Sequence, residues 1–91
     1  MNRERRKELS EAIALLEEAK TKIGEAKDKV ETCKSDEEEC YDNLPEGVQE
    51  GERGDMMQEN IDSLDEAYSG LEDVLDAIDE AINSIQEAID R

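Results

Sequence analysis

A seven-residue repeat runs through both halves of this chain, and it limits the possible folds more than any other feature. Leu9-Ser-Glu-Ala12, Leu16-Glu-Glu-Ala19, Ile23-Gly-Glu-Ala26 and Val30-Glu-Thr-Cys33 form one series. Leu64-Asp-Glu-Ala67, Leu71-Glu-Asp-Val74, Ile78-Asp-Glu-Ala81 and Ile85-Gln-Glu-Ala88 form the other. A large aliphatic residue followed three positions later by a mostly small one is the a/d pattern of a coiled coil, so both halves are expected to be α-helical. Charged residues make up 43% of the chain and aromatic residues 2%. Without the repeat, that composition would suggest a chain unable to offset its folding entropy.

The e positions distinguish the halves. In the first helix those after Ile13 are Lys20, Lys27 and Lys34, whereas in the second they are Ile61, Tyr68, Leu75, Ile82 and Ile89. Helix two therefore has the wider apolar stripe. Lysines at the facing e sites are expected to leave part of that stripe uncovered, which calls for a second copy of the chain. The expected fold is all-α: a two-helix antiparallel hairpin that dimerises into a four-helix bundle. Its dimer core would be Ile61, Leu64, Tyr68, Leu71, Leu75, Ile78, Ile82, Ile85 and Ile89.

Between the repeats, residues 41–55 hold the single proline, Pro45, and three of the five glycines, Gly47, Gly51 and Gly54. Heptads cannot continue through such a segment. The expected single domain is thus helix one at about 3–41, a polar turn at about 42–54, and helix two at about 55–90. Leu44-Pro45-Glu46 can open a short helical turn, because proline fits a first turn. Asp55 with Gln58 has the spacing of a capping box for helix two.

The residue inventory excludes several functions. The chain has no His, and no nucleophile is paired with a base in a chain too small for an enclosed pocket, so no catalytic residues and no enzyme activity are expected. Asp36-Glu-Glu-Glu39 and Asp42 lack the alternating ligands, central Gly and terminal bidentate Glu of a calcium loop, so neither metal nor cofactor is expected. No apolar leader and no run of about 18 apolar residues is present, which points to the cytoplasm, with no membrane partner. Cys33 and Cys40 fall on d positions and are expected to be reduced and buried as small apolar residues.

Charge points to the partner. Of the net −17, residues 1–41 contribute −3 and residues 42–91 contribute −14, and no cation lies between Arg53 and Arg91. Such a chain repels nucleic acid and attracts cationic protein surfaces. Asp65, Glu66, Glu72, Asp73, Asp76, Asp79, Glu80, Glu87 and Asp90 occupy the outer b, c and f positions of helix two. Rows of carboxylates on a rod can imitate phosphate spacing and occupy a nucleic-acid groove. They can equally be a solvated face that keeps a bundle soluble.

Two other groups stand out. Arg3, Arg5, Arg6 and Lys7 oppose the helix macrodipole, so an anion should lie nearby. That anion is expected to be Asp79, Glu80, Glu87 and Asp90 of helix two, or else a phosphate-bearing ligand also reached by Arg53. In the turn, Asn43, Glu46, Gln49, Glu52, Arg53 and Asp55 crowd polar groups onto a rigid scaffold, where recognition often resides, in a segment longer than a plain connector needs.

The turn, Tyr41-Asp-Asn-Leu-Pro-Glu46 followed by Gln49 and Glu52-Arg53-Gly54, together with the opening Asn2-Arg-Glu-Arg-Arg-Lys-Glu-Leu9, resembles a family of short hypothetical proteins of bacteriophages and prophages of Gram-positive bacteria. The resemblance spans nearly the whole chain, with Gly51 standing where the family has Ser. It implies a bacterial host cytoplasm and brings no biochemical activity with it. The resulting expectation is a non-enzymatic acidic protein that binds and blocks a host protein with a cationic surface, one that handles nucleic acid or serves in defence. The alternatives are a sponge for a small anionic nucleotide signal and a structural or assembly component of a phage particle.

Overall fold

The computed structural model describes residues 1–91. Helix α1 runs Arg3–Asp42, a single turn α2 runs Glu46–Gln49, and α3 runs Glu52–Asp90. The 40-residue α1 and 39-residue α3 lie antiparallel in a rod of 68 × 15 × 13 Å. All-helical structure and the hairpin follow from the heptads. No helix is long and apolar enough to cross a membrane.

The seam between α1 and α3 closes on a and e, not on a and d. Along α1 the half-buried series is Leu9, Ile13, Leu16, Lys20, Ile23, Lys27, Val30, Lys34, Glu37 and Tyr41. Along α3 it is Met57, Leu64, Tyr68, Leu71, Leu75, Ile78, Ile82, Ile85 and Ile89, with Ile61 fully buried. Steps of three and four alternate in an a/e stripe as they do in an a/d stripe, so both suit antiparallel helices. The a/e choice places two large side chains per heptad of α3 against α1, and burial of apolar area is what rewards packing.

This bears on one expectation and corrects another. Among the e residues of α3, α1 buries Ile61 and half-covers Tyr68, Leu75, Ile82 and Ile89, beside Lys20, Lys27 and Lys34, whose stems can lie along the seam while the ammonium points outward. Of the nine residues assigned to a dimer core, Ile61 is buried and the other eight are half-buried in the single chain. Cys33 and Cys40 are exposed free thiols, since their d column lies beside the seam. Ala26, Ala67, Val74 and Ala81 of the same column are exposed too, whereas Ala12, Ala19 and Ala88, toward the open end of the hairpin, are half-buried.

Asn2 caps α1, its side chain accepting from the Arg5 N–H at 2.8 Å. Pro45 stands at the N-cap of α2, in keeping with a helical turn opening there. α3 begins at Glu52, ahead of the expected start, with Gly51 as its N-cap and no side-chain cap. The Asp55–Gln58 capping box does not form: Asp55 lies inside the first turn, and Gln58 donates to Asp62. Glu52 and Asp55 instead complement the positive end of the helix dipole.

A close contact ties the corner together. The Gln49 side-chain amide donates to the Tyr41 carbonyl at 2.8 Å, a second bond on a carbonyl that also accepts the Leu44 N–H at 3.1 Å. Gly54 is buried against the backbone of the same Gln49: a Cβ there would stand 2.0 Å from its carbonyl oxygen. Only glycine allows α3 to pass this close to α2.

Candidate functional site

Three ion pairs cross the hairpin in one axial register. Lys20 meets Asp79 at 2.7 Å, Lys27 meets Glu72 at 3.7 Å, and Lys34 meets Asp65 at 2.7 Å. Each step of seven residues up α1 is matched by seven down α3, so e-site lysines face b-site carboxylates over roughly 20 Å of the middle of the rod. The Lys27 ammonium also lies 5.0 Å from the Tyr68 ring centroid, a cation–π contact. Lys34 adds Glu38 at 3.6 Å on its own helix.

Hydrogen bonding to Asp79 and then its charge hold the Lys20 ammonium above its ordinary 10.5. A hydrogen bond to Asp65 does the same for Lys34. Both ammoniums remain in contact with water, so their attraction is screened.

The ladder divides the acidic face of α3 in two. Asp65, Glu72 and Asp79, all at b, are engaged by α1. Glu66, Asp73, Asp76 and Glu80, at c and f, are exposed and form no ion pair. Beyond them, Glu87 reaches only Arg91, at 4.0 Å, and Asp90 accepts from Gln86 at 3.0 Å. Successive c positions lie roughly 10 Å apart along the axis, on a rigid scaffold. Their chemistry is that of a one-sided polyanion, suited to Lys and Arg on a facing surface.

The amino-terminal cations do not pair with α3. Arg3, Arg5, Arg6 and Lys7 form no ion pair, contrary to the expected contacts with Asp79, Glu80, Glu87 and Asp90. The register explains this: extrapolating the lysine ladder, residues 3–7 of α1 overhang the end of α3. The shallow depression there is lined by Asn2, Glu4, Arg5 and Glu8, so carboxylates stand beside the arginine. Arg53 lies at the turn, at the opposite end of the rod, and one chain does not bring it to that cluster.

In the turn, the Gln49 side chain is taken up internally by Tyr41. Asn43, Glu46, Glu52, Arg53 and Asp55 are exposed and free of ion pairs. Sequence reasoning missed Glu37, whose carboxylate accepts from the Asn60 amide at 3.1 Å across the hairpin. The signal was present, since Glu37 continues the a column of α1. No group of three or more His, Cys, Asp or Glu side chains is placed to hold a metal ion.

No family model matches the chain, and neither does any curated protein or solved structure.

Proposed function

We propose that this protein is a non-enzymatic acidic interaction protein of phage or prophage origin that binds and blocks a host protein through that protein's cationic surface. The observation that carries this reading is the row Glu66, Asp73, Asp76 and Glu80, which no cation of the same hairpin neutralises, beside a row of carboxylates that α1 does neutralise. A face needed only for solubility has no reason to exclude every cation from Arg53 to Arg91. The unpaired row steers and holds a basic partner, and the turn residues Asn43, Glu46, Glu52, Arg53 and Asp55 add specificity. A host protein that handles nucleic acid or serves in defence fits this chemistry, with the row standing in for phosphates. The hairpin acts as a pair, in a four-helix bundle.

The test is capture of partners from bacterial lysate by the tagged protein, at low salt and at about 0.5 M, where screening shortens the reach of charge to a few ångströms. The quadruple variant Glu66→Gln, Asp73→Asn, Asp76→Asn, Glu80→Gln leaves the lysine ladder intact. Wild type should retain a basic protein at low salt only, and the variant should lose it while keeping its helical circular dichroism. Undiminished capture by the variant would remove the electrostatic basis of the proposal.

A second reading rests on the unpaired Arg3, Arg5, Arg6 and Lys7, which leave a cationic end free for a small anionic nucleotide. Calorimetry with a nucleotide panel tests it, and titrations without heat across the panel exclude it. Glu4 and Glu8 in the same depression weigh against it.

A further inference from the structure

The seam leaves one broad face of the hairpin without a neighbour. On an antiparallel pair closed at a and e, the d columns of both helices emerge on the same side of the two-helix layer, and the b columns emerge on the other. The b side carries the lysine ladder. The d side carries Ala67, Val74 and Ala81 of α3, flanked at g by Gly70, Ala77 and Ser84, all exposed. Across from them run the Ala12, Ala19, Ala26 and Cys33 column of α1 and, at its g edge, Leu15.

Apart from the terminal Met1, the large apolar side chains left exposed are Leu15 at 67%, Met56 at 60% and Val74 at 42%. All three sit at d or g on this one face. Only Ile61 and Gly54 are fully buried in the lone hairpin, too little core for helices that depend on packing for their stability. A second layer of the same kind would complete it.

Charge selects how that layer lies. The g edge of α1 carries Lys22 and Lys29, while the c edge of α3, just outside its small g residues, carries Glu66, Asp73 and Glu80. If two hairpins stacked with α1 on α1, the g-site lysines would meet lysines. Stacking α1 on α3 of the second copy brings opposite charges together. A twofold axis along the rod does this and preserves height, so Lys22 comes level with the interval between Asp73 and Glu80 of the second copy. Lys29 comes level with the interval between Glu66 and Asp73. The small g residues of α3 leave room for each lysine stem to cross. Two lysines against the c and f carboxylates leave the ridge acidic.

We propose that two copies pair face to face through the d and g columns, with a twofold axis parallel to the helices, both turns at one end, and α1 packed on α3 of the second copy. This rests on the pairing put forward above and specifies the surface that makes it. Under that symmetry, Cys33 lies at the same height as Cys33 of the second copy, in the same interlayer space, at a sulfur separation of roughly 10 Å for usual helix spacings. A twofold axis across the rod would, in a fully overlapping pair, set those thiols some 25 Å apart or more.

The experiment combines sedimentation equilibrium of the wild type and Val74→Glu with cross-linking of Cys40→Ser, which retains one thiol, by a short bismaleimide. The wild type should sediment as a dimer and Cys40→Ser should cross-link to a covalent dimer in high yield. Val74→Glu should dissociate at least a hundredfold more readily. A dimer that neither cross-links at Cys33 nor weakens with Val74→Glu would overturn this face and leave pairing itself standing. A monomeric wild type would overturn both.

Discussion

At Gly54 a single hydrogen atom decides whether the corner can close. A Cβ there would meet the Gln49 carbonyl oxygen at 2.0 Å and its carbonyl carbon at 2.5 Å, and backbone cannot move aside as a flexible side chain can. Gly54→Ala should destabilise the hairpin by about 1–3 kcal/mol, the usual range for forced overpacking. Gly24, in mid-helix, where a Cβ would meet nothing within 4 Å, should respond in the opposite sense. Gly24→Ala should stabilise by about 0.5–1 kcal/mol, the helix-propensity difference. Urea titrations of the two variants measure both. Sequence reading placed Gly54 in a turn without revealing this role, because the clash is with a residue whose position depends on α2.

The seam governs the element scale. Ile61 is 8% exposed, and Ile61→Ala should cost about 2–5 kcal/mol by denaturant melt. Leu71, Ile78 and Ile85 are only half-buried in the single chain, so their alanine variants should each cost less than Ile61→Ala. The lysine ladder makes a separate prediction with a definite sign. Lys20 and Lys34 titrate above their ordinary 10.5 because the folded state offers each a carboxylate. Their stabilisation is therefore fully present below the unfolded-state value and is lost as pH rises through the raised one. Thermal melts from about pH 9 to about pH 12 should show stability falling over that window. The fall should shrink in the double variant Lys20→Gln, Lys34→Gln. The lysines at e were legible as a mark of asymmetry between the helices. Their own place in the seam was not, because a lysine there covers apolar surface with its stem while its charge leaves the contact.

The whole molecule is a thin polyanion. With 28 carboxylate side chains against 11 cations on a rod 13–15 Å across, mutual repulsion opposes folding more than the few interhelical ion pairs favour it. Raising salt from about 0.02 M to about 0.5 M screens both, and the larger effect should win, so Tm should rise. A falling Tm would mean that the ladder outweighs the repulsion. The same charge distribution underlies the proposed capture of a basic partner, and the proposed pairing would keep most of it on the outside.

The helices, their antiparallel arrangement and the chain reversal near Pro45 were legible because each depends on local pattern: a 3–4 apolar alternation, and a segment unable to continue it. The acidic character of α3 was legible for the same reason. Tertiary structure decided which of two equally periodic stripes would face inward, which carboxylates would be neutralised, and that the amino-terminal arginines would overhang rather than pair. Those outcomes turn on the rotation and axial register of one helix against the other. Gln49 and Gly54 shape the corner through contacts close in sequence, whereas the lysines of α1 meet carboxylates far along the chain on α3.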